Sequence, residues 1–374
     1  MRTNLRTKNK KLGLSTAVMS ILSLAAIVAI LASVSVSAAA YGGTTGAVFI
    51  IDNASAGNNV LVYARASDGS LTSVGPVSTN GLGTGAGLGS QGAVVLTNDG
   101  KWLLVVDAGS NEISVFKVSG TALTFASKTG SQGGDPISLA VHDNLVYVLD
   151  AAGTGNIAGF TLSNAGVLTF ISGSIQPLSG ATSPSPEQIG FNNNGNILVV
   201  TEKATNIIDT YTIDKTGHPG APDSQISAGL GPYGFAFDSR GQLLVSEAAS
   251  NSVSSYLVSS QGKLTIISGA IPDFGLAPCW LVVDGSGHYT FTANAHGGTI
   301  SSYKVEKKGG LALFSSVAAH TMVATLDMAF AQNSEFLFVR NGASITGFTV
   351  SGGSISALGS ISGLPSSASG LAAS

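Results

Sequence analysis

Apolar runs of four or five residues, most ending in a carboxylate or an amide, recur along the chain. They read AVFIID at 47–52, LLVVD at 103–107, VYVLD at 146–150 and LVVTE at 198–202. The series continues as LLVSE at 243–247, TFTAN at 290–294 and FLFVR at 336–340, with end residues 43 to 55 positions apart. A short apolar run bounded by turn residues marks a strand buried on both faces. Each run is followed by a small-polar turn and an alternating stretch, such as ISVFKV at 113–118 or ISSYKV at 300–305. A weaker strand comes next, such as LTF at 123–125 or LTII at 264–267. Another strand precedes each anchor run, as in PISLAV at 136–141, PEQIGF at 186–191, PYGFAF at 232–237 and PCWLVV at 278–283. Turn residues such as Asn98, Asp99 and Gly100 join that strand to the anchor.

Four antiparallel strands repeated about every 48 residues describe a propeller blade. Seven anchors predict an all-β, seven-bladed β-propeller. The first repeat lacks an innermost strand, and the segment ASGLAA at 368–373 resembles the missing one. Pairing of that segment with the first blade would close the ring and leave no open inner edge.

The leader changes the charge picture. Arg2, Arg6, Lys8, Lys10 and Lys11 precede an apolar run over 12–36, and small residues follow at 37–40. This order predicts a signal peptide over 1–40 and a single propeller domain over 41–374. The apolar run is also long enough to serve as an uncleaved membrane anchor. Either way the body is expected to be secreted or displayed outside the cytoplasm. Beyond the leader, 12 Lys and Arg face 20 Asp and Glu, a net charge of −8. That balance offers no basic patch for a nucleic acid.

Only 10% of the residues are charged, against roughly 25% in an average soluble domain, so the surface is neutral and polar. The lone Cys279 excludes an internal disulfide, and a monomer is expected. Phosphate-loop and paired-cysteine metal spacings are missing, so no cofactor and no metal is expected. The glycine-rich stretch over 81–89 does not fit the dinucleotide fingerprint and is expected to be a flexible loop between blades.

Strand order sorts candidate residues between the two faces of the ring. One face receives the anchor ends Asp52, Asp107, Asp150, Glu202, Glu247, Asn294 and Arg340. It also receives Gln91, Glu187, Gln188, Tyr233, Trp280 and Asp327 from the inner-strand starts. A funnel lined in this way is the default binding site of the fold. The competing reading has each Asp capping its own turn and Trp280 in the core. His296 and His320 fall on the funnel face, whereas His142, His218 and His288 fall on loops of the opposite face.

The segments SPEQIGF at 185–191, NGNILVVTE at 194–202 and NIIDTY at 206–211 resemble a blade of the lactonase-type seven-bladed propellers. That family includes bacterial 6-phosphogluconolactonase and the fungal carboxymuconate lactonizing enzyme, and the strand rhythm also resembles that of Tyr-Val-Thr-Asn repeat surface propellers. The resemblance implies a lactone-hydrolysing or lactonizing funnel in which Glu202 keeps the family carboxylate. Glu187 and Gln188 stand where the family carries Arg and His, and Gln91 with Gly92 where it often has His-Pro.

Three functions follow as expectations. One is an exported module binding a small-molecule or carbohydrate-like ligand in the funnel, through Gln91, Glu187, Gln188, Tyr233, Glu247, Trp280, Asn294 and His320. The second is a diverged lactone hydrolase or lactonizing enzyme with Glu202 as carboxylate, Arg340 as anion holder and His296 as proton carrier. The third is a structural envelope component held by its leader.

Overall fold

The computed structural model describes residues 44–374 except 323, 332 and 333. The expected signal peptide and anchor lie outside the described residues. Among the described residues no helix is long and apolar enough to cross a membrane. Seven antiparallel sheets are present, and each is built on a path of four strands. Blades 2 to 7 follow one another in the chain over 94–130, 136–177, 186–226, 232–272, 278–320 and 325–362. Their inner strands touch in cyclic order, so the sheets form a ring around a central channel.

Blade 1 is assembled from both ends of the described chain. Its inner strand is Ser369–Ala373, which pairs antiparallel with Thr44–Ile51 through Val48–Ala373, Phe49–Ala372 and Ile51–Ser369. The anticipated closure is therefore present.

Burial explains the sequence pattern. The second strand of each blade lies between two neighbouring blades, and Gln242–Glu247, for example, is buried along its whole length. Such a strand can be apolar throughout because both of its faces meet packed side chains. The outermost strands, such as Leu264–Pro272, alternate between half-buried and exposed positions. Glycine is needed at the tight turns between first and second strands. At Gly195, φ is +68° and an added Cβ would fall 2.3 Å from the His142 ring of the preceding blade. No other residue type meets both conditions without strain.

Candidate functional site

The anchor ends of the second strands do not converge on the channel. Side chains of a second strand point alternately to the preceding and the following blade, and the inner strands wall off the axis. Asp107 is fully buried between blades 1 and 2, where Asn58 Nδ2, Thr79 Oγ1 and Ser114 Oγ donate to its carboxylate. Glu202 holds the equivalent position between blades 3 and 4, accepting from Ser179 N–H (2.9 Å), Ser179 Oγ (2.7 Å) and Thr205 Oγ1 (2.6 Å). Glu247 accepts from Ser227 Oγ at the next seam. Between blades 5 and 6 the acid comes from the other side. Asp273 accepts from Thr292 and Ser301, and the amide of Asn294 completes the cluster by donating to Ser301.

Asp107, Glu202, Glu247 and Asp273 thus each latch one blade to another, in place of the expected ring of converging acids. Burial pushes the Asp107 and Glu247 carboxyls up, while their hydroxyl donors pull the other way. Asp150 is pushed up to about 6 by burial. Turn capping holds for Asp52, whose carboxylate accepts from the N–H groups of Ala54 and Asn59.

Arg340 is offset by one residue from its expected place. The second strand of blade 7 is Phe336–Asn341, so Asn341 takes the seam position and donates to Thr346 Oγ1 (2.9 Å). Arg340 points to the other side of the sheet, where Nη2 donates to Ser366 O (3.0 Å) and its charge faces Asp327. His296 is exposed in the turn after the second strand of blade 6, and His320 is exposed at the end of that blade's outermost strand. The structure therefore places Glu202 in a buried seam, Arg340 beside Asp327 in blade 7, and His296 on the surface of blade 6.

The inner-strand residues do come together. Glu187 of blade 4 is 3% exposed and paired with Lys203, whose ammonium also sits 5.1 Å from the centre of the Tyr233 ring. Burial pushes the Glu187 carboxyl up to about 7, although Lys203 pulls it down. The Tyr233 and Trp280 rings lie 5.1 Å apart. The hydroxyl of Tyr233 donates to Gly89 O, and Trp280 Nε1 donates to Ser90 O (3.1 Å). Lys203 and the Gly89–Ser90 acceptors were not evident from the sequence. Lys203 directly follows the Glu202 anchor, and that adjacency was the only signal for it.

The loop ahead of blade 2 fills the mouth that these residues surround. Gln91 reaches from blade 2 to blade 6, where its Nε2 donates to Leu281 O (2.8 Å) and its Oε1 accepts from Leu281 N–H (3.0 Å). Gln91 N–H also donates to Glu187 O in blade 4 (3.0 Å). Gly234 permits this passage, since a Cβ there would lie 2.3 Å from Gln91 Oε1. Gln188 makes the same two-way bond to Phe235, its neighbour in blade 5. The glycine-rich stretch over 81–89 is pinned rather than slack. Asn53 Nδ2 donates to Ala86 O, Asn53 Oδ1 accepts from Thr84 N–H, and Leu88 N–H donates to Ser369 Oγ.

Beyond this plug the channel widens into a cavity of about 480 Å³ that runs to the opposite face. Its walls come from the inner strands of blades 1, 2, 3, 4 and 7, with Leu139, Phe191 and Met328 among the apolar groups and His142 and Asn193 toward the rim. Among the described residues no group of three or more His, Cys, Asp or Glu is close enough to hold a metal ion.

The ring of seven antiparallel sheets, each on a path of four strands, defines a seven-bladed β-propeller. The family described as Lactonase, 7-bladed beta-propeller matches residues 55–177 and 244–325, more than half of the chain, and the chain belongs to that family. Residues 178–243, which contain Glu187, Gln188, Glu202 and Tyr233, lie between the matched stretches. No curated protein matches the chain in sequence.

Solved structures with the same fold include a putative 6-phosphogluconolactonase from Bacteroides fragilis, 15% identical with a TM-score of 0.68, covering 88% of this chain and 98% of that one. A second putative 6-phosphogluconolactonase, from Bacteroides uniformis, is 16% identical with a TM-score of 0.67 and covers 86% and 98%. The periplasmic gluconolactonase of Pseudomonas aeruginosa is 16% identical with a TM-score of 0.68 and covers 87% and 98%.

Proposed function

We propose that this chain is an exported, non-hydrolytic binding propeller of the lactonase family. The bond pair between Gln91 and Leu281 carries this reading, because it bars the mouth at the place where a funnel would have to admit a lactone. Two further observations support it. Glu187 and Gln188 replace the Arg-His pair that the family resemblance leads one to expect. Glu187 is moreover engaged by Lys203, and Arg340 by Asp327 and Ser366. An acid held against a fixed cation is poorly placed to shuttle protons to a substrate. Export follows from the basic-then-apolar leader, and a mature N-terminus near residue 41 is the corresponding expectation.

A hydrolase reading finds its support in the Glu187 carboxyl, whose pKa near 7 suits a general acid or base, and in Lys203, 42% exposed beside it. Hydrolysis of a panel of aldonolactones and simple γ- and δ-lactones, followed by pH-stat, separates the two. The expected result is no turnover above the uncatalysed rate. Turnover that Glu187→Gln abolishes would establish the hydrolase instead.

A further inference from the structure

The face opposite the plugged mouth carries two cavities that share a wall. The first is the lower end of the channel, about 480 Å³, rimmed by Asn98, His142 and Asn193. The second, about 260 Å³, opens between blades 2 and 3 and is lined by Asn98, Asp99, Trp102 and Asp143. Asn98 borders both.

From these two cavities we infer that this face is a binding site for an uncharged oligosaccharide. The inference rests on the non-hydrolytic binding reading above and names its ligand class and its location.

The chemistry of the walls selects the ligand. A sugar hydroxyl both donates and accepts, and an amide side chain offers it two donors and an acceptor. The Asn98 side chain is exposed and makes no hydrogen bond among the described residues, so its full capacity is available. The Asp143 carboxylate, 86% exposed, adds acceptor oxygens at the rim. Trp102 is half-buried and held in place from one side. Gly166 packs so closely on its six-membered ring that an added Cβ would fall 2.3 Å from it. A fixed indole beside amides and carboxylates suits the apolar C–H face of a pyranose, with its hydroxyls turned to the polar groups.

Charge narrows the class further. The Asp143 carboxylate at the rim and the net charge of −8 outside the leader repel uronic acids, phosphates and sulfates. The cation next to the site, Lys101, is tied to Asp99 at 2.7 Å. Two adjoining cavities accommodate a short chain of units better than one compact molecule.

Titration of the purified protein with maltotriose, cellotriose, mannotriose and chitotriose, read by tryptophan emission and by calorimetry, tests the site. The chain has two tryptophans, and Trp280 is 3% exposed behind the mouth, so a sugar-dependent emission change reports Trp102. At least one trisaccharide is expected to bind saturably. Asn98→Ala should weaken that binding about tenfold or more, with an unchanged melting temperature, because one wall of both cavities loses its polar group. Trp102→Phe should keep the fold, remove the emission change and weaken binding in the calorimeter. No saturable binding of any of the four sugars, or binding that both variants leave unaltered, overturns the site. Lactone turnover is read separately, so failure here without turnover strikes this inference and leaves the non-hydrolytic reading in place.

Discussion

The Arg65 guanidinium donates from Nε to the main-chain oxygen of Ser374 at 2.9 Å, across 309 residues of sequence. Arg65 lies in the third strand of blade 1, and Ser374 directly follows its inner strand, Ser369–Ala373. The contact fastens one end of the described chain to the other. Ser374 Oγ adds a second tie by accepting from Ala47 N–H at 2.9 Å.

Deletion of residues 365–374 should therefore open the ring. Strand Thr44–Ile51 would lose its inner neighbour and expose an unpaired edge, a known template for association. The cost should be a large share of the roughly 5–15 kcal/mol that holds a domain folded. Thermal unfolding and size-exclusion chromatography should show a lower melting temperature and larger species. A truncated protein as stable and as small as the parent would contradict the closure.

Gln91→Ala should destabilise the protein by about 1–3 kcal/mol, because it leaves the N–H and the carbonyl of Leu281 without their partner inside the channel. Gln91→Glu should cost more at pH 8, since a carboxylate would face the Leu281 carbonyl oxygen in place of a donor. Urea unfolding midpoints give the comparison. Equal midpoints for all three proteins would show that the bond across the mouth contributes nothing.

Glu202→Ala distinguishes a latch from a ligand group. Three donors, two from Ser179 and one from Thr205, would lose their acceptor in a buried seam. Orphaned donors of this kind cost about 1–3 kcal/mol, before the cavity is counted. The expected outcome is a lower unfolding midpoint with unchanged sugar binding. Impaired binding or activity at full stability would assign Glu202 to the site instead.

Stability should fall as pH rises from about 4.5 to about 7. Burial raises the Glu187 carboxyl from 4.5 to about 7 and the Asp150 and Asp327 carboxyls from 3.8 to about 6. Between those limits the folded protein binds more protons than the unfolded chain, so the stability present at low pH is lost as each group ionises. Asp99, held down to about 2 by Lys101 and Thr97, and Asp214, held down to about 2 by Thr216 and the His218 and Thr216 N–H groups, run the other way, and their contribution is lost below pH 3.8. Melting temperatures across pH 3–9 should peak on the mildly acidic side. Glu187→Gln should flatten the fall between pH 4.5 and 7, and a flat profile in the parent would contradict the burial of these acids.

The sequence by itself determined the blade count and the closing strand. These depend on local pattern. Apolar runs such as LLVVD at 103–107 form strands wherever they are buried, and turns such as the one at Gly195 reverse the chain at fixed intervals.

Only the tertiary structure decided what the candidate residues touch. Asp107 and Glu202 reach the right face, but the closed ring turns them into the seams and away from the axis. One residue of register separates Arg340, beside Asp327, from Asn341 in the seam. Gln91 meets Leu281 190 positions away because seven blades bring blade 2 and blade 6 to opposite sides of one narrow channel. Such contacts are set by the curvature and closure of the whole ring, which no local stretch of sequence encodes.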